Sequence, residues 1–151
     1  MKFLCDQMLG TLAKWLRVYG FDTFYANHEM NDNDLLKIAK EEKRVLITRD
    51  KTLAQISKRE NLKTLNIQTI DIDEQLKIVL KHVEINQDKI LSRCLLCNSV
   101  IEEIKKEKIR DKVPPRVFKN NEKFWYCKKC NKIYWKGTHY INMIKKINKL
   151  K

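Results

Sequence analysis

The sequence predicts an α/β domain with a parallel sheet and helices on both faces, followed by a small second unit organised by cysteines. Three observations point that way. Short apolar runs alternate with amphipathic helical stretches up to residue 91. Two Cys-x-x-Cys pairs follow. The basic charge is concentrated in the same stretch as the cysteines.

Each element has its own signal. Phe3-Leu4-Cys5 is a strand-like run ending at Asp6. Met8, Leu9, Leu12, Trp15, Leu16 and Tyr19 recur at helical spacing, and Gly20 follows as a stop. Asp22 to Tyr25 reads as a second strand, Asp32 to Lys43 as a helix with Leu35, Leu36, Ile38 and Ala39 inward. Val45 to Thr48 is a third strand, Lys51 to Arg59 a helix, and Leu62 to Ile70 contains a fourth strand. Asp73 to Val83 places Leu76, Val79, Leu80 and Val83 on one helical face. Strands alternating with helices imply parallel pairing. Beyond residue 91, Lys123–Tyr126 and Lys132–Trp135 are aromatic and β-prone and should pair as a hairpin. Ile101 to Lys105 has some helical spacing, and Val113-Pro114-Pro115 breaks the segment. After Gly137, Tyr140, Ile141, Ile144, Ile147 and Leu150 form the apolar side of a basic helix expected to pack on the rest.

Composition bounds the class. A chain of 151 residues buries roughly 70% of its unfolded surface, enough for a real core. With 43% hydrophobic and 34% charged residues it is globular rather than disordered. Three Gly and two Pro exclude collagen-like and linker-like sequences. The longest uncharged stretches are eight residues, such as Cys94 to Ile101, so no apolar span of about 20 fits. Asp6 comes too early for a signal peptide. A cytoplasmic protein is expected. Residues 1–91, the expected α/β domain, carry net charge +1, and residues 92–151, the expected zinc unit, carry +12. A lysine-rich composition bias would load both halves, so the asymmetry favours a polyanionic partner, nucleic acid before an acidic membrane surface.

Cys94-x-x-Cys97 and Cys127-x-x-Cys130 are separated by 29 residues. Each two-residue gap lets a pair of thiolates at one tight turn reach a single tetrahedral ion, and two such turns complete a four-sulfur zinc site of the ribbon kind. A disulfide reading conflicts with the expected compartment. A redox Cys-x-x-Cys would sooner open a helix in a βαβ unit. Cys5 lies in an apolar run and reads as a small buried hydrophobe.

The carboxylates mark a second site. Asp6 ends the first strand, Asp50 the third, and Asp71 and Asp73 the fourth, while Asp32 and Asp34 open the helix after strand two. In parallel sheets the strand carboxyl ends share one edge, where ligands bind. Four connections delivering negative charge to one rim would repel unless cations intervene, and hard oxygen donors in this number suit Mg²⁺ or Mn²⁺. The competing reading is helix capping, to which each of these residues is suited, Asp32 most of all. A phosphorylated receiver domain also has an acidic rim, but no lysine stands clearly at the sheet end.

Several runs resemble one family. Phe3-Leu4-Cys5-Asp6-Gln7-Met8-Leu9-Gly10, Leu12-Ala13-Lys14-Trp15-Leu16-Arg17 and Arg44-Val45-Leu46-Ile47-Thr48-Arg49-Asp50 are similar to the Mut-seven C-terminal RNase domain family. Ser92–Asn98 and Cys127–His139 resemble the two ends of its zinc ribbon. The resemblance implies a PIN-like nuclease fold in three layers fused to a zinc ribbon, acting as a metal-dependent ribonuclease on RNA. It carries over Asp6 and Asp50 as metal ligands, Asp32 better than Asp34 in the acidic helix start, and either Asp71 or Asp73 as the fourth. Thr48 and Arg49 would lie beside the metals. Lys14, Arg17, Arg49, Lys128, Lys129 and Lys136, with His139, are the expected RNA contacts. Thr11 departs from the pattern, standing where a basic residue is common. The rival classes are a non-cleaving RNA-binding module and a zinc-ribbon adaptor for another protein.

Overall fold

Strand β1 (Phe3–Cys5) lies inside a four-stranded sheet ordered β2-β1-β3-β4, with β2 at Thr23–Tyr25, β3 at Val45–Thr48 and β4 at Thr64–Asn66. All three pairings are parallel, and Leu4 sits opposite Phe24 on one side and Leu46 on the other. The computed structural model describes residues 1–150.

Alternation along the strands divides the interior. Phe3, Cys5, Val45 and Ile47 face one way, into a core with Leu12 and Leu16 of α1 (Gly10–Val18) and Leu76 and Val79 of α4 (Ile72–Leu80). Leu4 and Leu46 face the other way, against Leu35 and Leu36 of α2 (Asp32–Glu41) and Leu53 of α3 (Lys51–Arg59). Period-two strands thus meet helices on both faces. Helix α4 ends three residues before the expected Val83, which remains half-buried against the core. Gly20 is demanded twice over. Its φ is +93°, and an added Cβ would stand 2.4 Å from the carbonyl oxygen of Lys89. The segment at Lys89–Leu91 therefore lies tight against the end of α1, where the Leu91 N–H donates to the Val18 carbonyl at 2.8 Å.

The second sheet is antiparallel, β5-β6-β7, with β5 at Glu102–Ile104, β6 at Phe124–Cys127 and β7 at Lys132–Tyr134. The expected hairpin is β6–β7. The segment expected to be helical at Ile101–Lys105 is instead β5, because its exposed glutamates alternate with neighbours across from β6. The insertion between the cysteine pairs returns through α5 (Pro115–Asn120), with a proline in its first turn. It packs Ile109 and Val113 on Phe124. Helix α6 (Thr138–Leu150) lies against α4 and buries Ile147, while Ile141 stays exposed. Lys146 fastens it, pairing with Asp73 at 2.6 Å and standing 4.8 Å from the ring centre of Trp15. Cys94, Cys127, Tyr134 and Ile147 belong to the same buried cluster as Leu16 and Val79, so the cysteine unit shares the core of the α/β sheet.

Candidate functional site

The strand order places the switch point between β1 and β3. The chain leaves β1 through α1 toward β2 and leaves β3 through α3 toward β4, so the two carboxyl ends diverge and open a crevice. Asp6 and Asp50 stand at those ends. A cleft of about 110 Å³ there is lined by Asp6, Asp32 and Asp50 together with Met8, Asn27 and Leu53.

Asp6 is 6% exposed, and its carboxylate is fully engaged. Oδ1 accepts from the Met8 N–H at 3.0 Å, and Oδ2 accepts from the Thr48 hydroxyl at 2.5 Å and the Arg49 N–H at 3.0 Å. Thr48 is completely buried, and its Oγ1 also accepts the Asp50 N–H at 3.0 Å. One hydroxyl therefore joins both strand ends. Asp50 caps α3, its Oδ1 accepting from Thr52 and Leu53 at 2.8 and 3.2 Å. Among the described residues, none of the three carboxylates is paired with a lysine or arginine. They line the cleft without closing on one point.

The other acidic candidates are used differently. Asn31, rather than Asp32, caps α2. It forms a capping box with Asp34, whose carboxylate accepts the Asn31 N–H at 3.1 Å. Asp32 is thereby left for the cleft. Asp71 precedes α4 without a side-chain cap bond, and Asp73 points to α6. The hydrogen bond from Lys146 holds the Asp73 carboxyl below its ordinary range.

The four cysteine sulfurs lie within 4.8 Å of one another, and among the described residues they are the one group of three or more possible metal ligands gathered so closely. Cys97 and Cys127 approach to 3.5 Å, near the roughly 3.8 Å between sulfurs that a tetrahedral ion with Zn–S bonds of about 2.3 Å requires. Each pair is followed by an asparagine in the left-handed region, Asn98 at φ 72° and Asn131 at φ 54°, which turns the chain back around its thiols. The set is supported from outside. The Tyr134 hydroxyl stands 3.1 Å from Cys94 Sγ and accepts the Leu95 N–H at 3.0 Å. Burial raises the Cys97 thiol, but the Ser99 hydroxyl and N–H and the neighbouring thiols outweigh it and bring the group down to about 6. These four side chains can hold one metal ion such as zinc. Cys5 is outside the set. It is fully buried, and burial followed by the Asp6 charge pushes its thiol far up, which keeps it inert.

A family model, described as the Mut7-C RNAse domain, matches residues 1–147. The chain belongs to the Mut7-C RNAse domain family. No curated protein and no solved structure matches it. The Mut7-C match covers both the carboxylate cleft and the cysteine cluster.

Within this Mut7-C chain the expected RNA contacts separate. Lys14, Lys128, Lys129, Lys136 and His139 are exposed and Arg49 is half-buried. Arg17 is a correction. It is 7% exposed, with Nε donating to the Thr23 carbonyl at 3.0 Å and Nη1 to the Leu95 carbonyl at 2.8 Å. It fastens the first cysteine turn to the end of β2. Asn98 and Asp22 complete that joint: Thr23 N–H donates to Asn98 Oδ1 at 2.9 Å, and Asn98 Nδ2 donates to Asp22 Oδ1 at 2.7 Å. Helical periodicity showed Arg17 only as a cation in the last turn of α1; its partners are 78 residues away and left no local signal. Asn31-x-x-Asp34 was a readable signature of the α2 cap.

Proposed function

We propose that the chain is a metal-dependent ribonuclease that hydrolyses RNA phosphodiester bonds at the Asp6–Asp32–Asp50 cleft, with zinc on the four cysteines as a structural ion. The observation that carries this reading is the cleft itself: three carboxylates from three connections, at the sheet's switch point, with no basic side chain to neutralise them. Capping explains part of Asp50 and none of Asp6's three-donor cage. Oxygen donors grouped this way suit Mg²⁺ or Mn²⁺. When bound, such a cation lowers the pKa of a water and offsets charge building on the phosphate.

The chain's own residues supply position. Thr48 and the Met8 and Arg49 N–H groups fix the Asp6 carboxylate. Asp50 keeps Oδ1 on the start of α3, which leaves Oδ2 for the cleft. Asp32 adds an exposed carboxylate from the start of α2. The Arg49 Nε is buried without a partner among the described residues and stands one residue from Asp50, suited to a phosphate oxygen. Asp71 stays the candidate for a fourth carboxylate, since Asp73 is committed to Lys146. The acidic cleft repels RNA on its own, so affinity comes from the +12 of residues 92–151.

The test is cleavage of labelled single-stranded and structured RNAs by the full chain in Mn²⁺ and in EDTA. Wild type cleaves only with the metal. Asp6→Asn and Asp50→Asn lose on the order of a hundredfold or more in rate while RNA affinity holds. Asp50→Asn keeps its fold, because asparagine caps a helix as well as aspartate. Undiminished rates in both variants, or no metal-dependent cleavage by wild type, returns the chain to a non-cleaving RNA-binding module.

A further inference from the structure

Three cavities meet on the cysteine-bearing half, of about 240, 540 and 570 Å³, and Trp135 lines all three. One side of its indole packs toward Phe124, ring centres 6.4 Å apart. The pyrrole edge lies over Gly137, where an added Cβ would come within 3.0 Å of Nε1. The ring is therefore held firmly from behind and below while it walls open space. The smallest cavity is apolar at Leu95 and Met143, with His139 at its rim. His139 is exposed and has no hydrogen-bond partner among the described residues. The two larger cavities bring cations to the same ring: Lys112 and Lys132 in one, Arg116 and Lys136 in the other. None of these four has a carboxylate within ion-pair distance among the described residues, and no acidic residue lines any of the three cavities. Lys136 is steadied over the rings of Trp125 and Tyr140, at 5.2 and 5.1 Å.

We propose that Trp135 is a stacking platform for one unpaired base of single-stranded RNA, with Lys112, Lys132, Arg116 and Lys136 on the phosphates to either side. The proposal deepens the ribonuclease reading and rests on it for the identity of the polymer. Charge complementarity selects the occupant: unpaired cations around a fixed aromatic face fit a chain that alternates anionic groups and flat rings. Duplex RNA fits poorly, because its base faces are stacked on one another and cannot reach a protein ring. Stacking is tolerant of base identity, so the site gives strand-state selectivity rather than sequence preference.

The experiment uses the zinc-loaded full chain in EDTA-free buffer without Mg²⁺ or Mn²⁺, so that binding is read without cleavage. Affinity is measured for an oligouridylate and for a blunt RNA duplex across a salt series. Trp135→Ala should weaken single-strand binding by about tenfold or more, leave duplex binding within twofold, and keep the salt slope. Trp135→Phe should restore most of the loss. Lys132→Gln with Lys136→Gln should instead flatten the salt slope by about two. Wild type photo-crosslinked to a 5-bromouridine oligonucleotide should carry the adduct on the peptide containing Trp135, which decides the matter even where Trp135→Ala fails to fold. Equal loss on single strand and duplex, an adduct elsewhere, or a change in oligomeric state in place of RNA affinity overturns the proposal. Hydrolysis of bis(p-nitrophenyl) phosphate in Mn²⁺ separates the two readings. Wild-type turnover that survives in Trp135→Ala leaves the cleft chemistry standing whatever becomes of the platform.

Discussion

Thr48→Val removes one hydroxyl and keeps the shape of the side chain. In the folded protein that hydroxyl donates to Asp6 at 2.5 Å and accepts from Asp50 at 3.0 Å, in a position with no solvent access. Losing a bond to a carboxylate costs about 1.5–3 kcal/mol, and stranding the Asp50 N–H costs about 1–3 more. The added methyl returns about 0.8 kcal/mol of apolar burial. The net is roughly 2–4 kcal/mol. For a chain of this size, at about 2–4 °C per kcal/mol, that lowers the melting temperature by roughly 4–16 °C. Asp6 also loses one of its three donors, so cleavage in Mn²⁺ should fall beyond what instability explains when assayed well below the melting point. Thr48→Ser keeps the hydroxyl and should stay near wild type in both respects. Calorimetry and the RNA cleavage assay read the two effects. A Thr48→Val protein melting within about 1 °C of wild type would show that the hydroxyl does not join the two strand ends, and the reasoning fails there.

Other outcomes follow from the joint between the halves. Chelating the cysteine-bound metal, or Cys127→Ser, should lower the melting temperature of the whole chain, because Cys127 and Cys94 belong to the core that holds α1 and α4; hydrogen exchange should rise at Thr23, whose N–H is held by Asn98. Arg17→Met should cost about 2–4 kcal/mol, since two carbonyls lose a charged donor, with RNA affinity unchanged in the protein that remains folded, as read by denaturant melts and binding. Burial alone would raise the Asp22 carboxyl, but the Asn98 amide and the Arg44 guanidinium, helped by Arg93, hold it below its ordinary range. Its contribution to stability is present above about pH 3.9 and is lost as pH falls below that through the folded value. Melting curves from pH 7 to pH 2.5 should therefore show a shallower acid decline in Asp22→Asn than in wild type.

The α/β half was legible because each strand and helix announces itself locally. Val45–Thr48 was bounded to the residue, and Leu35, Leu36 and Ala39 were placed inward by spacing alone. The pairing of β1 with β3, which makes neighbours of Asp6 and Asp50, followed from the order of elements. What escaped was set by partners distant in sequence. Arg17 is silent in the α1 pattern, yet its guanidinium is spent on Thr23 and Leu95. Asp73 starts a helix like the other aspartates, and only the arrival of α6 commits it to Lys146. The strand at Glu102–Ile104 has too few apolar residues for its period to be read, and it forms because β6 offers an unpaired edge.

Strand β2 is the outer strand of the sheet, and an outer strand offers its free N–H and C=O groups to any other extended chain. At Thr23 both outward groups are taken, the N–H by the Asn98 amide and the carbonyl by Arg17. The first cysteine turn thus works as a stopper on the sheet. Molecules starved of metal, or lacking Arg17, uncover that edge while the rest of the sheet is still paired, and such half-opened molecules join edge to edge. Metal supply during synthesis should then set the yield of soluble protein as much as its activity, with light scattering under chelation appearing before the loss of helical signal.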